Sequence, residues 1–322
     1  MDDEIWYPDY ITLGPGGIRG LYMAGILQAM KNEGRLRNVK GYGTSSVGSC
    51  IALMTIIGYD PMEIVTAGVD TPLFVDFFSV KLGERMNEMR ENIGLVSNND
   101  IRRHLEDIVK GKLGHIPTLH ELYIQTGIEL YISTYNVTDE KVEILSYLTE
   151  PDISCVIAVM LSINIPFLFY QLTYNDKVYV DAALIYPLVI SPFDDGINKV
   201  MVIFVDVKNT NNGNINQGNG INFTSYIHKL LMSPVKRLRE IAIANTSPSC
   251  RHLCIVSSFT DLTGTSISTT DKSDMVICGM RAGQKFIEKV DDPRYKYLHM
   301  TSNMDENNRI NSVQKRVFSF TH

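Results

Sequence analysis

A cluster of glycines near the start of the chain has the composition of an anion-binding loop. Residues 14–20 read Gly-Pro-Gly-Gly-Ile-Arg-Gly and follow a short apolar run. Successive glycines let backbone N–H groups converge on one point, which suits a phosphate or a developing oxyanion. Pro15 has no N–H, so Gly16, Gly17 and Ile18 are the predicted donors. The loop lacks the Lys-Ser/Thr pair of a P-loop and the spacing of a dinucleotide fingerprint, and a simple tight turn before a helix also fits it.

A second turn, residues 43–48, has glycine at both ends and could hold a serine nucleophile. A serine on a strained strand-to-helix turn is exposed, and small residues two positions before and after it let the backbone bend. Two frames compete. With Ser45 as nucleophile, the later of these positions holds the β-branched Val47; with Ser46, the earlier one holds Thr44. A serine pair that caps a helix would also explain the pattern.

Asp181 is the candidate base. It follows residues 177–180, which are predicted to form a strand. Parallel α/β sheets place their sites at the carboxyl edge, so we expect this carboxylate to lie near the two turns. Burial would raise its pKa enough to let it accept a serine proton. Taken alone, the residue would be interpreted as the cap of a turn.

The elements that must position these residues alternate between strand and helix. Tyr10–Leu13 and Val39–Tyr42 are predicted strands, and each leads through one of the two turns into an apolar helix. Two such units indicate an α/β protein with a mostly parallel central sheet and helices on both faces. Further predicted strands are Leu130–Val137 with Val142–Leu148, Lys199–Val207 and His252–Ser257, and further predicted helices are Asp152–Leu161, Phe223–Ala244 and Asp274–Val290. We predict one domain over about residues 8–290, an Asn- and Gly-rich loop at 209–222, and a polar tail at 291–322.

Two other groups of residues contain side chains that could carry chemistry. His228, His252 and His299 each come late enough in the chain to complete a Ser-Asp-His order, but none has a local motif. Residues 250–254 contain two cysteines and a histidine, which are metal-ligand types, but the cysteines fit a buried strand better and no second ligand pair follows. We therefore expect chemistry without a metal, a cofactor or a histidine.

Composition limits the class of protein. The chain has 322 residues, 44% of them hydrophobic, which excludes disordered and collagen-like classes. The net charge of −6 and the absence of a basic run argue against nucleic acid as a partner. Five scattered cysteines predict reduced thiols, and the acidic N-terminal residues are unlike a signal peptide. Residues 153–175 carry no charge and are long enough to span a bilayer, but their polar residues and Pro166 favour a buried helix, a loop and a strand. We expect a cytoplasmic protein.

Taken together, the motifs resemble those of the patatin-like phospholipases. Leu13–Gly20 is similar to the oxyanion loop of that family, and Ser46–Ser49 with its following helix is similar to the nucleophile elbow. Ser162–Phe167 resembles the segment before the family's catalytic aspartate, and Asp181–Leu184 stands where the family has Asp-Gly-Gly or Asp-Gly-Ala. The order and spacing of these motifs agree with those of the family over about residues 11–190.

Two further features look most like the shorter branch of the family known from large DNA viruses. They are the elbow helix ending at Gly58-Tyr59 and the strand that contains Asn136-Val137-Thr138.

The resemblance implies a three-layer patatin-like fold and hydrolysis of phospholipid or other acyl-lipid esters by a Ser-Asp dyad. It also implies peripheral contact with membranes. The roles carried over are Ser46 as nucleophile with Ser45 as the reserve, Asp181 as base, Gly16, Gly17 and Ile18 as oxyanion donors, and Arg19 as the basic residue of the loop. An acyl-chain pocket needs apolar walls, which residues 74–78 could supply.

Four positions depart from the family pattern. Pro15 and Thr44 each replace a glycine, Ala182 follows the aspartate, and Tyr186 stands where asparagine is usual. Each adds bulk near a backbone turn. The alternative to an acyl hydrolase is therefore a catalytically weak or inactive member of the fold that binds lipid or a partner protein.

Overall fold

The computed structural model describes residues 5–69, 91–207, 223–259 and 267–302. Two features expected from the sequence, the apolar group at 74–78 and the loop at 209–222, lie outside these ranges. Among the described residues, no helix is both long enough and apolar enough to cross a membrane. The uncharged segment 153–175 forms a buried helix, a loop and a short strand, as predicted.

Nine strands of the described chain form one sheet. Their bounds are β1 Tyr10–Leu13, β2 Gly41–Ser45, β3 Glu129–Asn136, β4 Lys141–Leu145, β5 Leu172–Tyr174, β6 Lys177–Asp181, β7 Val200–Val207, β8 Cys250–Ser257 and β9 Tyr297–Thr301. The order is β5-β6-β3-β2-β1-β7-β8-β9, and β4 pairs with β3 outside this path. The strands from β3 to β9 in this order are mutually parallel, while β4, β5 and β6 join by antiparallel pairing. The sheet is therefore mostly parallel, as the two strand–turn–helix units indicated.

Helices cover both faces of the sheet, which makes an α/β fold of three layers. Their bounds are α1 Gly20–Asn32, α2 Val47–Ile56, α3 Pro61–Val69, α4 Asn99–Leu113, α5 Leu119–Thr126, α6 Cys155–Ser162, α7 Phe223–Ala244 and α8 Thr269–Val290. Alternate side chains of β7 show the layering: Met201 and Ile203 join the larger core with α1 and α8, whereas Val202 and Phe204 join a smaller core on the opposite face, against which Ile243 of α7 packs.

Close packing of α1 against α8 fixes the helix that follows the glycine loop. A Cβ atom on Gly25 would lie 2.2 Å from the backbone oxygen of Val276, and one on Gly279 would lie 2.2 Å from that of Tyr22. Both positions therefore exclude any larger residue. The backbones of the two helices touch, and this holds the amino end of α1 in place beneath the loop.

Two expectations need correction. Residues after 290 were expected to form a polar tail, but Tyr297–Thr301 adds a parallel strand to β8. Leu298 of this strand is buried and Met300 packs against the same core, and two apolar residues are too short a pattern to identify from the sequence. The second predicted strand, Val39–Tyr42, lies at Gly41–Ser45, so the chain remains extended up to the candidate nucleophiles.

Candidate active site

Ser46 lies at a strained backbone position between β2 and α2. Its φ is 56° and its ψ is −132°, a conformation that a residue with a side chain rarely adopts. The turn is closed by the N–H of Ser49, which donates to the carbonyl oxygen of Ser46 over 2.8 Å. Gly48 makes the turn feasible, because a Cβ atom there would lie 2.4 Å from the carbonyl oxygen of Leu13. This is the geometry of a nucleophile elbow.

Ser45 is in a different environment. It is the last residue of β2, where it pairs with Ser133 of β3, and its side chain is fully buried. Its hydroxyl has no hydrogen-bond partner. The strained backbone and the contact with the cavity described below belong to Ser46, so the two frames that the sequence left open differ sharply in geometry.

A chain of buried hydroxyls supports the elbow from below. The N–H of Ser46 donates to Oγ of Ser162 over 3.0 Å, and this oxygen lies 3.1 Å from Oγ of Ser49. The hydroxyl of Ser49 donates to Oγ1 of Thr44 over 3.0 Å, and Thr44 in turn donates to the carbonyl oxygen of Tyr131 over 3.0 Å. If Ser162 donates to Ser49, each hydroxyl in this chain donates one hydrogen bond and accepts one. Thr44, a departure from the family pattern, is therefore an integrated part of the turn.

Asp181 faces the elbow across β3. Ser45 pairs with Ser133, and the next residue of β3, Thr134, pairs with Asp181, so the carboxylate stands level with the elbow. The expectation that it would lie near the turns agrees with this position, but the reason given was wrong. The strand β6 runs antiparallel to β3, so the carboxyl-edge rule for parallel strands does not apply to it.

Burial controls the protonation of this carboxyl group. Asp181 is only 4% exposed, and desolvation raises its pKa to about 6. The nearby side chain of Ser46 and the N–H of Ala183, which donates to Oδ1 over 2.8 Å, lower the pKa in the opposite direction. Asn164 holds the strand end, because its backbone oxygen accepts from the N–H of Asp181 over 2.9 Å. A carboxylate that stands level with the serine and has a pKa raised to about 6 can act as its base.

The glycine loop presents the start of a 3-10 turn to the same place. Gly17 has a φ of 54°, a left-handed conformation that glycine adopts without strain, and it opens the turn Gly17–Arg19. The first N–H groups of such a turn have no acceptor within it, so those of Gly17 and Ile18 are free of intrahelical bonds. The backbone oxygen of Gly16 accepts from Nε of Arg19 over 3.1 Å. The buried Arg19 therefore contacts the loop itself.

An apolar cavity of about 110 Å³ begins at these residues. Gly17, Ile18 and Ser46 lie in its wall, and Gly16 does not. Four residues of α2 continue the wall at helical spacing, namely Val47, Cys50, Ile51 and Met54. At 1.5 Å per residue, this face is about 10 Å long. Side chains of α1, α3 and α4, together with Val96 and residues 163–169, form the remaining sides, and Ser46 supplies the hydroxyl in an otherwise apolar wall. The cavity suits a hydrocarbon chain attached to a group at Ser46.

His252 and His299 lie far from the elbow, on β8 and β9 of the sheet. His252 lies on β8, where it pairs with Val202 of β7, and β8 is three strands from β2, roughly 14 Å at the usual strand spacing. Burial lowers its pKa to about 4, and its Nε2 lies 2.9 Å from Oγ1 of Thr246. Within the described ranges, no three His, Cys, Asp or Glu side chains group as metal ligands, and all five cysteines are free thiols.

Sequence reasoning missed the residues that hold the elbow. Ser162 lies 116 positions from Ser46 and Ser49 lies within α2, and neither was assigned a chemical role. Ser162 did lie in a segment that resembles the family, which is a signal of position but not of function. A hydrogen bond across this separation has no pattern in the sequence, because it depends on how α6 packs against α2.

Comparison with known proteins agrees with this fold and shows the family. Residues 11–194 match the family model described as patatin-like phospholipase. This match covers more than half of the chain and contains the glycine loop, the serine elbow and Asp181. The chain therefore belongs to the patatin-like phospholipase family, as its motifs predicted.

Two viral proteins are similar in sequence. The probable lipid hydrolase 463L of Invertebrate iridescent virus 6 is 30% identical over 181 residues, which cover 55% of this chain and 60% of that protein. The uncharacterized protein R571 of Acanthamoeba polyphaga mimivirus is 28% identical over 229 residues, 68% of this chain and 73% of that protein. The aligned part thus spans about three fifths of the first relative. Both are viral proteins, which agrees with the resemblance to the branch from large DNA viruses.

The fold also resembles a solved structure. VipD from Legionella pneumophila superimposes with a TM-score of 0.50 and 13% identity over 87% of this chain and 66% of that one. At this identity the likeness concerns the fold alone, and it supports the patatin-like α/β architecture.

Proposed function

We propose that this protein is a serine lipid acyl hydrolase that cleaves carboxylic esters of phospholipids or other acyl lipids. One observation carries the proposal: a serine in a strained turn lines an apolar cavity and stands level with a buried aspartate whose pKa is raised. Membership of the patatin-like phospholipase family and the similarity to a probable lipid hydrolase support the same activity.

In the proposed mechanism the acyl chain occupies the cavity and its ester carbonyl lies against Ser46. Oγ of Ser46 attacks the carbonyl carbon while Asp181 accepts the hydroxyl proton. The negative charge that develops on the carbonyl oxygen is stabilised by the N–H groups of Gly17 and Ile18, with Gly16 as the third candidate donor. Arg19 supports this loop through the oxygen of Gly16.

The second half of the reaction restores the enzyme. The tetrahedral intermediate collapses, the alcohol portion of the lipid leaves with the proton held by Asp181, and the acyl group remains on Ser46. Water then attacks the acyl ester, and Asp181 accepts a proton from it. A second collapse releases the fatty acid and returns that proton to Oγ of Ser46. No step needs a metal, a cofactor or a histidine. We further propose that the substrate is met at a membrane surface, by peripheral contact.

Hydrolysis of a lipid panel tests the proposal with a matched pair of variants. Purified protein is incubated with phosphatidylcholine dispersions and with a soluble short-chain nitrophenyl ester, and free fatty acid and nitrophenol are measured. We expect Ser46→Ala to abolish both activities. Ser45→Ala should retain them, because the hydroxyl of Ser45 has no partner to lose. No release from any ester by the folded wild-type protein would contradict the proposal and favour the inactive lipid- or protein-binding alternative.

A further inference from the structure

The cavity has a recognisable mouth. Its wall residues on α4, Ile101, Leu105 and Ile108, are buried, and Val47, Cys50 and Ala67 are partly buried single positions on two other helices. Three wall residues close together in the chain, Ile165, Leu168 and Phe169, are also only partly buried. The segment that contains the last three residues, 163–170, therefore lies where the cavity meets the surface. It is hydrogen-bonded to the segment 91–98, which contributes Val96 to the cavity wall. We call these two segments the rim.

Backbone contacts hold the two segments of the rim together. The carbonyl oxygen of Leu168 accepts from the N–H groups of Leu95 and Val96, over 3.0 and 2.9 Å, and the N–H of Tyr170 donates to the oxygen of Val96 over 2.9 Å. Val96 and Phe169 form a parallel bridge. The rim is thus a fixed structural unit that closes one side of the cavity.

Two large apolar side chains of the rim point into solvent. Ile93 is 54% exposed and Phe167 is 51% exposed, and neither lines the cavity. Both have positive φ angles, 52° for Ile93 and 65° for Phe167. A β-branched or aromatic residue in this region is under backbone strain, which persists only where the surrounding structure imposes it. Strain and exposure both oppose stability here, so the two positions are candidates for a contact outside the molecule.

The charge of the rim limits what that contact can be. Segments 91–98 and 163–170 contain one ionisable acid, Glu91, and no lysine, arginine or histidine. An anionic surface would need basic side chains to attract it, and these segments offer none. A lipid surface without net charge can be bound by exposed apolar side chains alone.

We propose that the rim docks this protein on neutral, zwitterionic lipid surfaces, with Ile93 and Phe167 inserted among the acyl chains and the cavity mouth facing the lipid. The inference rests on the proposed function for the identity of the surface, because the rim borders the cavity that would receive the acyl chain. An ester-linked chain can then pass from the bilayer to Ser46 without crossing water.

Vesicle flotation tests the proposal in the Ser46→Ala background, where the lipid is not consumed. Phosphatidylcholine vesicles are used alone and with added phosphatidylserine, at low and at high salt. We expect binding to pure phosphatidylcholine that changes little with salt or anionic lipid. Phe167→Ser and Ile93→Ser should each weaken partitioning about tenfold, since each removes an inserted apolar side chain. Thermal unfolding of both variants checks that they remain folded.

Leu148→Ser and Ile197→Ser are the matched controls. These side chains are 65% and 83% exposed, more than those of the rim. They lie near the amino ends of the parallel strands, whereas the elbow lies at the carboxyl ends. Their substitution should leave vesicle binding unchanged. Equal binding by folded rim variants, loss of binding in the controls, or binding that requires phosphatidylserine would overturn the proposal. So would a lack of vesicle binding, or a rim that mediates self-association instead. Failure of the proposed function is distinct, because it appears as absent hydrolysis of the soluble ester by wild-type protein.

Discussion

Replacing Asp181 by asparagine should inactivate the protein and make it more stable. Asparagine has nearly the same shape, and its side-chain oxygen can still accept from the N–H of Ala183. Its amide can donate to Oγ of Ser46 but cannot accept the hydroxyl proton. The substitution therefore preserves the packing of the site while it removes both the base and the buried negative charge.

The expected gain in stability follows from the pKa of Asp181. Burial raises this pKa from 3.8 to about 6. One pKa unit corresponds to about 1.4 kcal/mol, so ionisation of the folded protein at neutral pH is disfavoured by about 3 kcal/mol relative to the unfolded chain. Asparagine does not titrate and avoids this penalty. The free energy of unfolding of Asp181→Asn should exceed that of the wild type by up to about 3 kcal/mol at pH 7.

The stability difference between Asp181→Asn and the wild type should depend on pH. Because the folded pKa is raised, the stability linked to this proton is fully present below pH 4 and is lost as the pH rises through 6. The difference between variant and wild type should thus be near zero below pH 4 and reach its full size above pH 6. In the wild type, kcat/KM should fall below pH 6 as Asp181 becomes protonated and can no longer accept a proton.

Urea unfolding followed by circular dichroism between pH 4 and 8 measures the stability difference, and ester hydrolysis measures the loss of activity. Ser133→Ala is a useful reference because it removes a buried polar group on the neighbouring strand without altering a charge. A difference between Asp181→Asn and wild type that does not grow from pH 4 to pH 7 would refute the assignment of a raised pKa. Activity in the variant close to that of the wild type would refute the role of the base.

Three further outcomes follow from the geometry of the site. Gly48→Ala should prevent folding or destabilise the protein severely, because the new Cβ atom would meet a backbone oxygen of β1 at 2.4 Å. Gly111→Ala is the control: its Cβ atom would lie 3.9 Å from the nearest atom, so the free energy of unfolding in urea should rise by about 0.5–1 kcal/mol. Ser162→Ala should lower kcat about tenfold with little change in KM, since it removes the acceptor of the Ser46 N–H, while Ser133→Ala leaves that bond in place and should keep the wild-type rate. Dialysis against EDTA should leave ester hydrolysis unchanged, and calcium-dependent turnover would count against the mechanism.

Local patterns predicted the first half of the fold well. A short apolar run, a glycine-containing turn and an apolar helix occur twice, and the parallel pairing of β1 with β2 follows from these units. The same patterns made the glycine loop and the pair Ser45 and Ser46 candidates, because glycine and small residues at fixed spacing have a direct backbone meaning, and their catalytic roles stay predictions. Family resemblance then favoured Ser46 over Ser45, a choice that spacing alone left open.

Long-range contacts explain what the sequence did not reveal. Asp181 was expected from the direction of a parallel strand, but it stands level with the elbow because β6 pairs antiparallel with β3 at that register. Thr44 was interpreted as unwanted bulk in the elbow. In the structure it accepts from Ser49 and donates to the backbone of Tyr131, so its hydroxyl is part of the support. Register and burial of this kind depend on residues far apart in the chain.

Covalent labelling of the active serine shows whether Ser46 is the nucleophile. The folded protein is treated with a fluorophosphonate that carries an alkyl chain, and the adduct is located by peptide mass spectrometry. We expect one phosphonate per chain, attached to Ser46. Ser46→Ala should not be labelled, and Asp181→Asn should be labelled more slowly than the wild type. An adduct on Ser45, or the complete absence of an adduct on folded wild-type protein, would show that Ser46 is not the nucleophile.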